Sequence, residues 1–177
     1  MHTDAWQYLI DTHAAHEWSG PVLEVGSINI NGSPRYLWGD LDYTGVDIVP
    51  GPNVDIVTDI RTLDPQYDDF RGKFRTIICT EVLEHTEPHL LVPALFPLMA
   101  PHCQLVITCA GPTRSSHSAD GAPTLKAGEY YANVSPDALL SLLMAPPAPL
   151  VCVTAAVTTN ADSSDVYAYC VYQEVAI

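Results

Sequence analysis

The chain has 177 residues, 47% of them hydrophobic, with three Trp and nine Tyr, which excludes a disordered chain and fits a single globular domain. Its 21 acidic residues against seven Lys and Arg give a net charge of −14 with no basic track, which speaks against nucleic acid as the partner. The longest apolar stretch, 139–157, is broken by Pro146, Pro147 and Pro149 and cannot be a membrane span.

Taken in order, residues 3–18 read as a helix that Thr3 can cap, with Trp6, Leu9, Ile10, His13 and Ala14 at helical spacing and Gly20-Pro21 as the stop. Val22–Val25 is a short buried strand, closed by Gly26 where the chain must turn. Asn31-Gly32 is a second turn, and Ser33-Pro34 reads as an N-cap followed by proline at the first helical position. Strands follow at Tyr43–Ile48, Asn53–Asp59 and Phe74–Thr80, with a polar loop over 61–73. Over Pro88–Ala100 a helical pattern carries Pro93 and Pro97 inside it, so either it is kinked or only its second half is helical. Cys103–Ala110 is a fifth strand, followed by a long polar loop to about Ala132. Ser135-Pro136 opens a helix with Leu139, Leu140, Leu142 and Leu143 facing inward. The runs Val151–Thr159 and Asp165–Glu174 are too close for a helical crossover and should pair as an antiparallel hairpin.

Alternating strands and helices imply an α/β fold: a Rossmann-like, doubly wound, mainly parallel sheet with a C-terminal antiparallel hairpin and helices on both faces. A ligand then belongs outside the carboxyl ends of the strands, beside the first one. There the strand–Gly26–helix sequence makes a nucleotide-sized cradle. Asp47, 21 positions after Gly26 at the next strand's end, is the carboxylate a bound ribose needs. The start Met-His-Thr-Asp lacks a signal-peptide pattern, and the five cysteines contain no C-x-x-C pair. Reduced core cysteines and a cytoplasmic setting are expected.

These residues resemble the class I S-adenosylmethionine-dependent methyltransferases over nearly the whole chain. Glu24-Val-Gly26 is similar to the acidic-x-Gly start of that family's first motif, Asp47 to its ribose-binding acid and Asp59 to its acid near the adenine amine. Thr80-Glu-Val-Leu-Glu-His85 is similar to the segment that passes under the methionine moiety and adenine, and the terminal hairpin is the family's distinguishing topology, which NAD-binding Rossmann domains lack. The resemblance implies S-adenosylmethionine as cofactor, lined by Glu24, Gly26, Ser27, Asn29, Asp47, Ile48, Asp59, Ile60, Thr80 and Glu81. Two family glycines are replaced by Ile28 and Ile30; Asn29 or Asn31 can stand in, since asparagine tolerates left-handed backbone and offers amide hydrogen bonds.

The loop with His117-Ser-Ala-Asp-Gly and Gly128–Asn133 resembles that of small methyltransferase-like proteins, many from bacteriophages. It offers Arg114, Asp120, Tyr130 and Tyr131 for substrate contacts and, with His85, supplies His117 as a catalytic base. A turn through Ser118-Ala119 would bring Asp120 to His117. The implied activity is methyl transfer to an O or N atom of a small molecule or protein side chain. The alternatives are a non-catalytic methyltransferase-like module, a dinucleotide oxidoreductase, and a metal-dependent RNA methyltransferase, because a small-RNA 2′-O-methyltransferase family has a similar Glu-Val-x-Glu-His segment. Glu81, Glu84, His85 and His117 can ligate a divalent ion, yet the same segment occurs in many metal-free methyltransferases, so no metal is expected.

Overall fold

The computed structural model describes residues 3–63, 65–162 and 164–175. Seven strands form one sheet: β1 (Val22–Val25), β2 (Tyr43–Asp47), β3 (Ile56–Val57), β4 (Phe74–Thr80), β5 (Met99–Ala110), β6 (Leu150–Asn160) and β7 (Asp165–Glu174). Their spatial order is β3-β2-β1-β4-β5-β7-β6. The first five are parallel, and β7 runs antiparallel to both β5 and β6. The strand order reverses between β1 and β4, which is the switch point expected for a ligand.

Strand residues alternate between two buried layers. Leu23, Val25, Ile77, Cys79, Leu105, Ile107, Ala168 and Cys170 point to one layer, against α3 (Pro88–Leu95) and α4 (Pro136–Leu143). Val22, Ile78 and Val106 point to the other, against Leu9 of α1 (Thr3–Ala15) and Trp38 of α2 (Arg35–Trp38). Period-two alternation with both faces covered is what makes these strands read as continuous apolar runs. Four of the five cysteines lie buried and all are free thiols.

Several expectations are corrected. α1 ends at Ala15, not 18, and the residues it buries are Ala5, Leu9 and Thr12. Ser33 Oγ accepts from the Arg35 amide at 3.2 Å, but the N-cap position falls on Pro34 rather than on Ser33, and the helix that follows is a single turn. β3 shrinks to two residues. In 88–100 the helical part is the first half: Pro88 starts α3, Pro93 sits inside it, and Phe96–Leu98 tighten into a 3-10 turn before β5. Ser135 caps α4 through the Ala138 amide at 3.2 Å. Leu139 and Leu143 are buried there, whereas Leu140 is exposed. Among the described residues no helix is long and apolar enough to cross a membrane.

Candidate active site

The carboxyl ends of β1 and β2 carry the first half of the site. Gly26 has φ +75°, and a Cβ there would lie 2.2 Å from Val82 Cγ2, so glycine is required both by its backbone and by the close approach of the chain after β4. Asp47, 8% exposed, fastens the loop: its carboxylate accepts from the Ile28 amide and from the Val49 amide, both at 3.1 Å. Each oxygen retains a free lone pair for another donor. Next to it, Ile48 stands 66% exposed, an apolar surface held at a strand end.

Asn29 closes the loop from within. Its Oδ1 accepts from the Gly32 amide at 2.9 Å and its Nδ2 donates to Tyr36 Oη at 3.3 Å. The left-handed backbone expected of Asn29 or Asn31 is not adopted; the amide hydrogen bonds are. Ile28 is accommodated against Gly51, where a Cβ would meet its Cδ1 at 2.6 Å. Ser27 is buried with an unpartnered hydroxyl. Glu24 is buried beneath the loop and accepts from Tyr43 Oη at 2.9 Å and from Ser33 Oγ at 3.5 Å. Burial pushes its pKa up to about 7, against the opposing pull of the Tyr43 bond.

At β3 the picture is more structural. Asp59 caps the 3-10 turn that follows, accepting from the Arg61 amide at 2.9 Å and pairing with its guanidinium at 2.8 Å. Arg61 reaches on to Thr86 Oγ1 at 2.8 Å. Ile60 is buried in the core rather than presented to a ligand.

The second half of the site is the turn after β4. Glu81 takes a left-handed conformation, φ 57°, held by its amide donating to the Thr108 carbonyl and by Thr108 Oγ1 donating to its Oε1, both at 2.8 Å. That strained residue redirects the chain so that Glu84 points inward. Glu84 is fully buried and neither carboxylate oxygen has a hydrogen-bond partner; the nearby amides of Glu84 and Ala110 only partly oppose the rise of its pKa. Desolvation, then repulsion from Glu81, raises its pKa.

Loop 111–133 meets this turn. Ala132 donates its amide to the Glu84 carbonyl at 2.8 Å, and Asn133 Nδ2 ties both the Gly111 and Arg114 carbonyls, at 2.6 and 2.8 Å. Thus His117 is delivered to His85, ring centroids 5.0 Å apart, with Tyr131 5.4 Å from one and 5.1 Å from the other. His85 Nδ1 is buried without a partner; desolvation, then His117, lowers its pKa to about 4. One donor atom each from Glu84, His85 and His117 lies within 4.8 Å of the others.

The expected contact between Asp120 and His117 is not formed. His117 Nδ1 faces the Ser115 carbonyl at 3.1 Å, while Asp120 pairs with Lys126 and accepts from the Ala122 amide. Asp-Gly makes a tight turn there, and a lysine six residues on is a stronger partner than an imidazole. Arg114 is turned to the buried Asp165 at 3.2 Å, Tyr131 Oη donates to the Ser115 carbonyl at 3.2 Å, and Tyr130 is exposed. The sequence reading missed Tyr43, Val82, Thr108 and Asp165, whose roles arise from pairings between distant strands. Only Asp165 carried a cue, as an acid at a strand start.

No known protein family profile matches this chain, and no curated protein does. Solved structures do share its fold. It is similar to the 1,6-didemethyltoxoflavin-N1-methyltransferase of Burkholderia thailandensis, solved with its acceptor and S-adenosylhomocysteine: TM-score 0.63, 14% identity, 97% of this chain and 79% of that one. A methyltransferase of Methanosarcina mazei aligns at TM-score 0.60 and 10% identity, over 94% of this chain and 98% of that one. Magnesium protoporphyrin IX methyltransferase of Synechocystis, with S-adenosylhomocysteine bound, aligns at TM-score 0.56 and 15% identity, over 95% and 81%. Strand order, terminal hairpin and these likenesses together give the chain the Rossmann-like fold of the S-adenosylmethionine-dependent methyltransferases.

Proposed function

We propose that this protein transfers a methyl group from S-adenosylmethionine to an oxygen or nitrogen atom of a small molecule or a protein side chain. The observation that carries the reading is Asp47: a nearly buried carboxylate at the switch point, tied to the glycine loop yet keeping acceptor capacity for two hydroxyls. The residues present fit the cofactor. Gly26 and Asp47 hold the ribose end, exposed Ile48 offers an apolar face to the adenine, and Glu24 and Ser27 close the floor. When bound, the sulfonium supplies an already activated methyl group. The chain's own work is to align an acceptor with it, exclude water and deal with one proton. His85 and His117, at the junction of the β4 turn and loop 111–133, are the groups suited to that last task. The net charge of −14 favours an acceptor other than nucleic acid.

Calorimetric titration with S-adenosylhomocysteine, and separately with NAD, tests the reading. Wild type should bind the first and not the second. Asp47→Asn keeps the shape but loses the charge-assisted bonds, worth about 1.5–3 kcal/mol, so affinity should fall at least about 10-fold. Equal affinity in wild type and variant rules out Asp47 as the ribose ligand, and no S-adenosylhomocysteine binding at all rules out the methyltransferase reading.

A further inference from the structure

We propose that Glu84, His85 and His117 form a binding site for a first-row divalent metal ion, with open coordination positions for an oxygen of the methyl acceptor. This reverses the metal-free expectation and deepens the methyl-transfer reading, on which only the step after metal binding rests.

The argument begins with what the three residues lack. Glu84 is fully buried with both carboxylate oxygens unpartnered, and His85 Nδ1 is buried and unpartnered as well. Buried polar atoms in native proteins nearly always have partners, and a buried carboxylate without one is among the costliest arrangements. Two such orphans stand at adjacent positions, and a donor atom from each of Glu84, His85 and His117 falls within 4.8 Å of the others, a spacing one ion can span.

The second observation is the orientation of His117. Its Nδ1 lies 3.1 Å from the Ser115 carbonyl, which can only accept, so Nδ1 carries the proton and Nε2 keeps its lone pair. Metal-bound histidines are commonly fixed in this way, by a carbonyl taking the other ring N–H. Tyr131 packs on both imidazoles while its own hydroxyl is spent on Ser115, so it walls the site without competing for the ion.

Two imidazoles and one carboxylate favour zinc, cobalt, iron or manganese over magnesium or calcium, which prefer oxygen sets. Three protein ligands leave positions open for an exogenous oxygen. That selects a hydroxyl-bearing acceptor. With both imidazoles taken up as ligands, the ion takes over from them the removal of the proton: it would acidify the bound O–H, which releases its proton to solvent. The oxygen lone pair forms the new C–O bond as the C–S bond breaks, and the C–S pair stays on sulfur, leaving the thioether.

The test uses tag-free protein stripped with a chelator, and the probe is Co²⁺ alone, followed by absorption spectroscopy and competed with Zn²⁺. Wild type should bind one Co²⁺ with the intensified visible bands of a low-coordinate site. His117→Ala, His85→Ala and Glu84→Gln should each weaken binding at least about 100-fold. Glu84→Gln leaves an amide in a buried place, so His117→Ala, at a partly exposed position, decides the matter if that variant does not fold. Co²⁺ bound no more tightly by wild type than by the His85→Ala/His117→Ala double variant overturns the site. S-adenosylhomocysteine titrated into the same stripped samples keeps the two readings apart. Its binding without cobalt binding sinks the metal site alone, and cobalt binding without it sinks the methyl-transfer reading alone.

Discussion

Glu24 shows what a single buried acid does at a strand end. Its pKa stands near 7, above the ordinary 4.5, so the folded protein prefers it protonated. The stability it contributes is therefore complete below pH 4.5 and is lost as pH rises through 7. A shift of this size corresponds to about 3 kcal/mol. Glu24→Gln, neutral throughout and still able to accept from Tyr43, should gain on wild type by that order between pH 4.5 and 8 in urea denaturation without cofactor. A constant gap across that range would mean that Glu24 ionises freely. The sequence told that this acid mattered, from its place before Gly26, but not that Tyr43 and Ser33 would shelter it. Those partners come from a neighbouring strand and a loop turn, and no local pattern encodes them. Likewise Gly26 was legible as a turn, while its second reason, the Val82 side chain pressed against it, belongs to tertiary structure.

Among the elements, loop 111–133 is the one whose form decides the site. Its chemistry was readable as a set of polar residues, but its geometry was not. Asp120 went to Lys126, Ser118 Oγ to Glu129 at 2.7 Å, and the loop ends were stapled by Asn133. Side chains within a long polar loop have many partners of similar worth, so spacing alone does not choose among them. Strands and caps behaved otherwise. β1, β4 and the terminal hairpin were legible because β-branched alternation and the shortness of the connection leave one arrangement; so was α4, through Ser135 and Pro136. Asn133→Ala removes both staples at a cost of about 1–3 kcal/mol to the loop. Amide hydrogen exchange should speed up across 111–133 and stay slow in β4 and β5. Unchanged exchange in the loop would show that the Ala132–Glu84 bond suffices to hold it.

For the whole molecule, the alternation of strands and helices and the short final connection made a mainly parallel sheet with a terminal antiparallel hairpin legible, whereas the order of the strands came from the structure. The net charge of −14 was legible too, and it bears on β6. That strand is the outer edge of the sheet, eleven residues long, with no charged side chain between Leu150 and Asn160, and among the described residues no strand pairs with its outer side. Edges of this kind are normally guarded by a lysine, a proline or a bend; here only the irregularity between Cys152 and Thr154 interrupts it. The molecule's colloidal stability then depends on mutual repulsion between copies rather than on the edge itself. As pH approaches the isoelectric point near 4.5, that repulsion vanishes and strand-to-strand stacking should set in, seen as light scattering and thioflavin binding. Val153→Lys, at a 48% exposed position, should delay the onset markedly without lowering the unfolding free energy at pH 8 by more than about 0.5 kcal/mol. If it does not, assembly begins elsewhere. In this protein the acids that crowd the sequence would then serve as the guard that the last strand lacks.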